Sequence, residues 1–157
     1  MKAVPITRIK KELQHLSQEE LMEIVLRVGK YKVENKELLT YLLFESGNED
    51  GYIDVVKEYI DEQFELVHQQ HYYYIKKSVR KILRTIKKYI KFSKKPETEA
   101  ALLIHFCRKL KNMDPSYLYN TVLVNMFDRQ LSLAEKTIGK MHEDLQYDYK
   151  LELEEMF

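Results

Sequence analysis

The chain has 157 residues, 26 Lys+Arg against 25 Asp+Glu and a net charge of +1, a size at which one domain is the default and roughly 70% of the unfolded surface is buried on folding. Its 45% hydrophobic and 32% charged residues exclude a disordered chain, and four Gly and three Pro are too few for a turn-rich β-sandwich. One Cys excludes an intrachain disulfide and suits a reducing cytoplasm; no apolar run nears the ~20 residues of a membrane span, and residues 1–7 lack the apolar stretch of a signal peptide.

Every periodic segment has the helical period. Ile6, Ile9, Leu13 and Leu16 line one face of a short first helix that opens at Pro5. Ser17 and Glu20 form a capping box, and a second helix carries Leu21, Ile24, Val25 and Val28 to about Gly29. A third carries Leu38, Leu39, Leu42 and Leu43 and stops at Gly47.

Residues 52–92 form one amphipathic pattern through Ile53, Val56, Ile60, Val67, His71, Ile75, Val79, Ile82, Ile86 and Tyr89. A straight helix of that length would be ~60 Å long, against a radius of gyration near ~15 Å for a compact domain of this size. A break is therefore expected around Gln70 to Tyr74, and His71 on the apolar stripe reads as a core or interface histidine.

Pro96 with Glu97 and Glu99 opens the next helix, through Leu102, Leu103, Phe106 and Leu110. Asp114-Pro115 reads as an N-cap followed by Pro at the first helical position. The helix it opens carries Leu118, Val122, Met126, Leu133, Ile138 and Met141. Residues 147–157 read as an acidic, loosely held tail. The expected fold is all-α: one domain over residues 1–157, with six or seven helices in antiparallel hairpins forming a bundle or short helical solenoid.

Charge is distributed unevenly. Residues 66–96 contain ten Lys or Arg and no acid, while the segments before and after carry −5 and −4. Around a helix, Lys76, Lys77, Arg80, Lys81, Arg84, Lys87, Lys88 and Lys91 fall within an arc of roughly 140°, opposite the apolar face. Such a ridge can displace counterions from phosphates or meet an acidic protein surface. It can equally be a solvated face neutralised by the acidic flanks. The candidate binding residues are Lys77, Arg80, Lys81, Arg84, Lys87, Lys88 and Lys91. Tyr72 and Tyr73, at the edge of the ridge, are the candidate interface aromatics.

Catalytic and metal patterns are poorly supported. Residues 46–57 resemble a degenerate EF-hand loop, but Ser46 and Lys57 stand where its two outer carboxylates belong, so an interhelical turn is the better account. Glu12/His15 and Glu65/His68 have the Glu-x-x-His spacing of di-metal bundles, yet the first pair lies off the apolar stripe. His105 and Cys107 diverge by roughly 200° on a helix and do not form a direct pair.

Three places carry a resemblance. They are Lys10-Lys11-Glu12-Leu13 through Leu16-Ser17 to Glu19-Glu20-Leu21, then Ser78-Val79-Arg80-Lys81-Ile82, then the helix over residues 97–110. Together they resemble a family of small bacterial all-helical proteins classed as a domain of unknown function, although the tail here is shorter. The resemblance implies an all-α fold and transfers no activity or catalytic residue. The expectation is a cytoplasmic, non-enzymatic helical module without cofactor, membrane association or small-molecule substrate. Its partner would be another protein or a second copy, or alternatively a nucleic acid held on residues 76–95.

Overall fold

The computed structural model describes residues 1–67 and 71–157, and among them there is no strand. Among the described residues there are eight α-helices rather than the six or seven expected. The chain divides into two compact units, residues 1–44 and 45–157.

The first unit holds α1 (Ile6–Leu13), α2 (Gln18–Tyr31) and α3 (Val33–Thr40). Pro5 is the N-cap of α1 rather than its first helical residue, and α1 buries none of its side chains. The capping box is present: Glu20 N donates to Ser17 Oγ at 3.1 Å and Ser17 N to Glu20 Oε1 at 3.2 Å. α2 and α3 pack together, with Gly29 facing the Leu39 side chain so closely that a Cβ there would lie 2.6 Å from Leu39 Cδ1. Asn35 Nδ2 donates to Val28 O at 2.7 Å and fixes the turn between them. A π-helical turn, Tyr41–Glu45, follows α3. Its wider ring breaks the 3.6-residue register that would have aligned Leu42 and Leu43 with Leu38 and Leu39, and both are exposed.

The second unit holds α4 (Glu49–Glu65), α5 (Tyr72–Ser93), α6 (Pro96–Lys111), α7 (Thr121–Ile138) and α8 (Glu143–Met156). α6 is its centre, packing against α4, α5, α7 and α8. Leu102, Leu103, Ile104, Phe106 and Leu110 are fully buried on it, and Ile60, Ile75, Val79, Ile86, Leu123 and Ile138 close over it from the neighbouring helices.

The long amphipathic stretch is broken, as its length required. α4 ends at Glu65 and α5 starts at Tyr72, so the break opens earlier than Gln70, which itself lies outside the described residues. His71 is the extended N-cap of α5 and is exposed. It is not a core histidine, because the helical phase that placed it on the stripe does not reach it. Asp114-Pro115 does not start a helix. That bond is cis, a short 3₁₀ turn follows at Tyr117–Tyr119, and α7 is capped by Asn120, whose Oδ1 accepts from Val122 N and Leu123 N. Leu118 therefore falls outside α7 and is exposed. Residues 147–157 lie mainly in α8. Tyr149 Oη donates to Glu97 O at 3.2 Å, Lys111 Nζ donates to Met156 O, and Met156 is buried.

Candidate functional site

The apolar face of α5 (Ile75, Val79, Ile82, Ile86 and Ile90) is buried, and this orients its basic face away from the core. Lys77, Arg80, Lys81, Arg84 and Lys91 are exposed. Among the described residues, none of these five forms an ion pair, so the acidic flanks do not neutralise them by direct contact. Lys77 and Lys91 are 14 residues apart, or roughly 21 Å along the helix.

Two expected members of the ridge lie deeper. Lys87 is half-buried. Burial pushes its ammonium below the ordinary lysine value, and the Glu99 and Cys107 side chains counteract this. Lys88 is also half-buried, with its Nζ 4.9 Å from the Tyr89 ring centre.

The tyrosines separate by role. Tyr72 is half-buried and donates from Oη to Ser116 O at 2.7 Å, which ties the start of α5 to the segment before α7. Tyr73 is exposed at the head of the basic face, with Lys77 Nζ 4.3 Å from its ring centre. Tyr74, not among the candidates chosen from the sequence, stands edge-on to Tyr73 at 5.1 Å and is also exposed.

At the other end of α5 the basic face runs into a groove that no sequence pattern announced. Lys91 and Lys94 line one side and Lys136 and Lys140 the other, over an apolar floor that includes Ile90 and Leu133. Its volume is about 350 Å³. Glu99 also borders the groove and accepts a hydrogen bond from Thr137 Oγ1 at 3.1 Å.

His105, Asp61 and Cys107 have structural partners. His105 Nε2 donates to Asp61 Oδ1 at 2.6 Å, and Lys109 Nζ lies 3.4 Å from the same oxygen. Burial drives the His105 imidazole below its ordinary value, outweighing the hydrogen bond and charge of Asp61. For Asp61, burial acts upward, but His105 and Lys109 together hold the carboxyl below the usual range. Cys107 is fully buried, and burial pushes its thiol up to about 12. Residues 49–57, the greater part of the EF-hand-like segment, are helical, and Asn48 caps the helix by accepting from Gly51 N. Glu12 and His15 are exposed, and His68 lies outside the described residues. No cluster of three metal-ligating side chains occurs among the described residues, and no helix there is long and apolar enough to cross a membrane.

The first unit presents a different kind of surface. Of its large apolar side chains only Tyr41 is buried. Met22, Ile24, Val25, Leu26 and Val28 on α2 are between 41% and 57% exposed, and Ile6, Tyr31, Val33, Leu43 and Phe44 are each at least 70% exposed.

No family model matches this chain, and no curated protein or solved structure matches it.

Proposed function

We propose that this chain is a non-catalytic helical binding module that works by protein–protein contact, and that the partner of its first three helices is a second copy of the chain. The observation that carries the reading is the apolar surface of residues 1–44. Counting Val4, Ile9 and Leu42 with those above, thirteen large apolar side chains are exposed in this unit besides Met1. At roughly 50–100 Å² each, they present on the order of 1,000 Å². These side chains are spread around α2 rather than gathered on one face, so part of that area enters any one interface, which in a stable complex buries ~800 Å² per partner.

Charge favours like pairing with like. α1 carries Arg8, Lys10 and Lys11 against Glu12, and α2 opens with Glu19, Glu20 and Glu23. A two-fold arrangement lets the basic helix of one copy face the acidic turn of the other, and each contact is made twice. His105, Asp61 and Cys107 are engaged in contacts within their own unit, which also favours a binding role.

The test is sedimentation or light scattering of the full chain between about 1 and 100 µM, at or above the µM-to-pM affinities of interfaces this size, beside Met22→Glu/Leu26→Glu. The expected result is a species of twice the 19.0 kDa chain mass that becomes monomeric in the variant with unchanged helix content. A wild-type monomer across the whole range overturns the reading.

A further inference from the structure

We infer that the basic face of α5 and the lysine groove at its end form one binding track for a single-stranded nucleic acid, with Tyr73 stacking a base at its head. This goes beyond the self-association reading and rests on a different part of the molecule.

Tyr73, Lys77, Arg80, Arg84 and Lys91 follow one another at spacings of four, three, four and seven residues, which keeps them on a single helix stripe. From Tyr73 to Lys91 the stripe is roughly 27 Å long. The groove then continues it with Lys94, Lys136 and Lys140. Those last two lysines belong to the net-acidic final third of the chain. Folding brings them to the end of α5, where they add cations to a ridge already rich in them. Glu99 borders the same groove, but four lysines outnumber it and leave a net positive lining that favours an anion.

Three features select a single strand over other polyanions. An aromatic ring exposed in line with the cations offers a base a stacking surface, and Lys77 already lies against that ring. The groove has an apolar floor as well as lysines, suited to an unpaired base or sugar beside its phosphate. A duplex, by contrast, has its bases stacked internally and makes no use of either. A lipid surface would need large apolar side chains along the cations to insert, and from Lys77 to Lys91 the exposed ridge residues are Lys and Arg throughout, the exposed tyrosines being confined to the head.

The experiment is fluorescence anisotropy with labelled oligo-dT and oligo-rU of about 12 nucleotides, within the site sizes of single-strand binders, and a duplex of the same length, using the full chain. Salt runs from about 25 to 200 mM, where phosphate contacts are most visible. About five phosphate contacts on a single strand give a slope near −3.5, a loss of roughly a hundredfold between 50 and 200 mM. Arg80→Glu/Arg84→Glu should abolish binding, and Lys136→Gln/Lys140→Gln should reduce the slope by about one to two. Tyr73→Ala should weaken single-strand binding at least about fivefold, while Tyr73→Phe keeps it. Arg80→Gln/Arg84→Gln replaces the charge reversal if that variant loses its circular-dichroism signal. No binding of any probe at the lowest salt overturns the inference. Duplex bound as tightly as oligo-dT with Tyr73→Ala unchanged overturns the single-strand assignment. An unchanged slope in the Lys136/Lys140 variant removes the groove from the track. A preference between oligo-dT and oligo-rU identifies which strand the track serves.

Discussion

Removing the Glu49 carboxylate is expected to loosen the joint between α4 and the α5–α6 connection. Glu49 Oε1 accepts from Ser93 Oγ and from Thr98 Oγ1, the latter at 2.5 Å, and Lys95 Nζ lies 3.6 Å from Oε2. Thr98 is fully buried and Ser93 nearly so, so neither hydroxyl turns to water when its acceptor is removed. A hydrogen bond to a charged group contributes about 1.5–3 kcal/mol, and a carboxylate in the first turn of α4 adds about 0.3–1 kcal/mol against the helix dipole. With two such bonds, Glu49→Ala should therefore cost at least about 3 kcal/mol in urea denaturation at neutral pH. Thr98→Val alone should cost about 1–2 kcal/mol. In the Glu49→Ala background the same Thr98→Val change should be neutral or stabilising, because the hydroxyl it removes no longer has its acceptor. The cycle then yields a coupling of about 1.5 kcal/mol or more. Additive losses, with coupling under about 0.5 kcal/mol, would falsify the account of Glu49 as the shared acceptor.

Three further outcomes follow from the packing. Lys94 has φ 58° at the end of α5, a left-handed conformation that costs a side-chain-bearing residue about 1–2 kcal/mol, so Lys94→Gly should raise the urea midpoint by the equivalent of about 1 kcal/mol. Met156 is 7% exposed, so Met156→Ala should cost about 2–3 kcal/mol, and an unchanged midpoint would mean that α8 is undocked in solution. Stability should fall with acid. The unfolded chain protonates His105 as pH drops through ~6.5 while the folded chain resists it. The Asp61 contribution, present above that carboxyl's unfolded value, is lost as pH falls through the depressed folded one. The check is a urea midpoint series from about pH 8 to pH 3, in which His105→Gln should flatten the part of the decline that begins near ~6.5 and leave the part below ~4.

Local signals read well because they are complete within a few residues. Ser17 and Glu20 needed only each other, and Pro96 with Glu97 and Glu99 needed only the helix they start. The apolar stripe of α5 was equally legible, since its Ile and Val positions face one way wherever the helix packs. Ambiguity arose where one signal had two outcomes. Asp114-Pro115 suits a helix start or a turn, and Asn120, further along the chain, makes the better cap because its side chain reaches two backbone N–H groups. His71 matched the stripe by period alone, which carries no information about where a helix stops. Residues 147–157 read as a loosely held tail because they are acidic and terminal, yet Tyr149 and Met156 make contacts that hold them to the unit. Two features were beyond any local reading. Glu49 meets Thr98 across 49 positions, and Lys136 reaches Lys91 only through the packing of α7 against α6 and of α6 against α5.

Cys107 gives this protein a built-in clock. It carries the only sulfhydryl in the chain, fully buried on α6 with Sγ 3.8 Å from Phe127 O of α7. With the thiol pushed up to about 12, only about one molecule in ten thousand presents a thiolate at about pH 8. A disulfide reagent must wait for α6 and α7 to part, so the rate of colour release in a simple absorbance assay measures how often the core opens. Conversely, a cysteine introduced on the surface reacts alone. A spin label or dye placed at the rim of the lysine groove would report from that one position, without first removing the native residue.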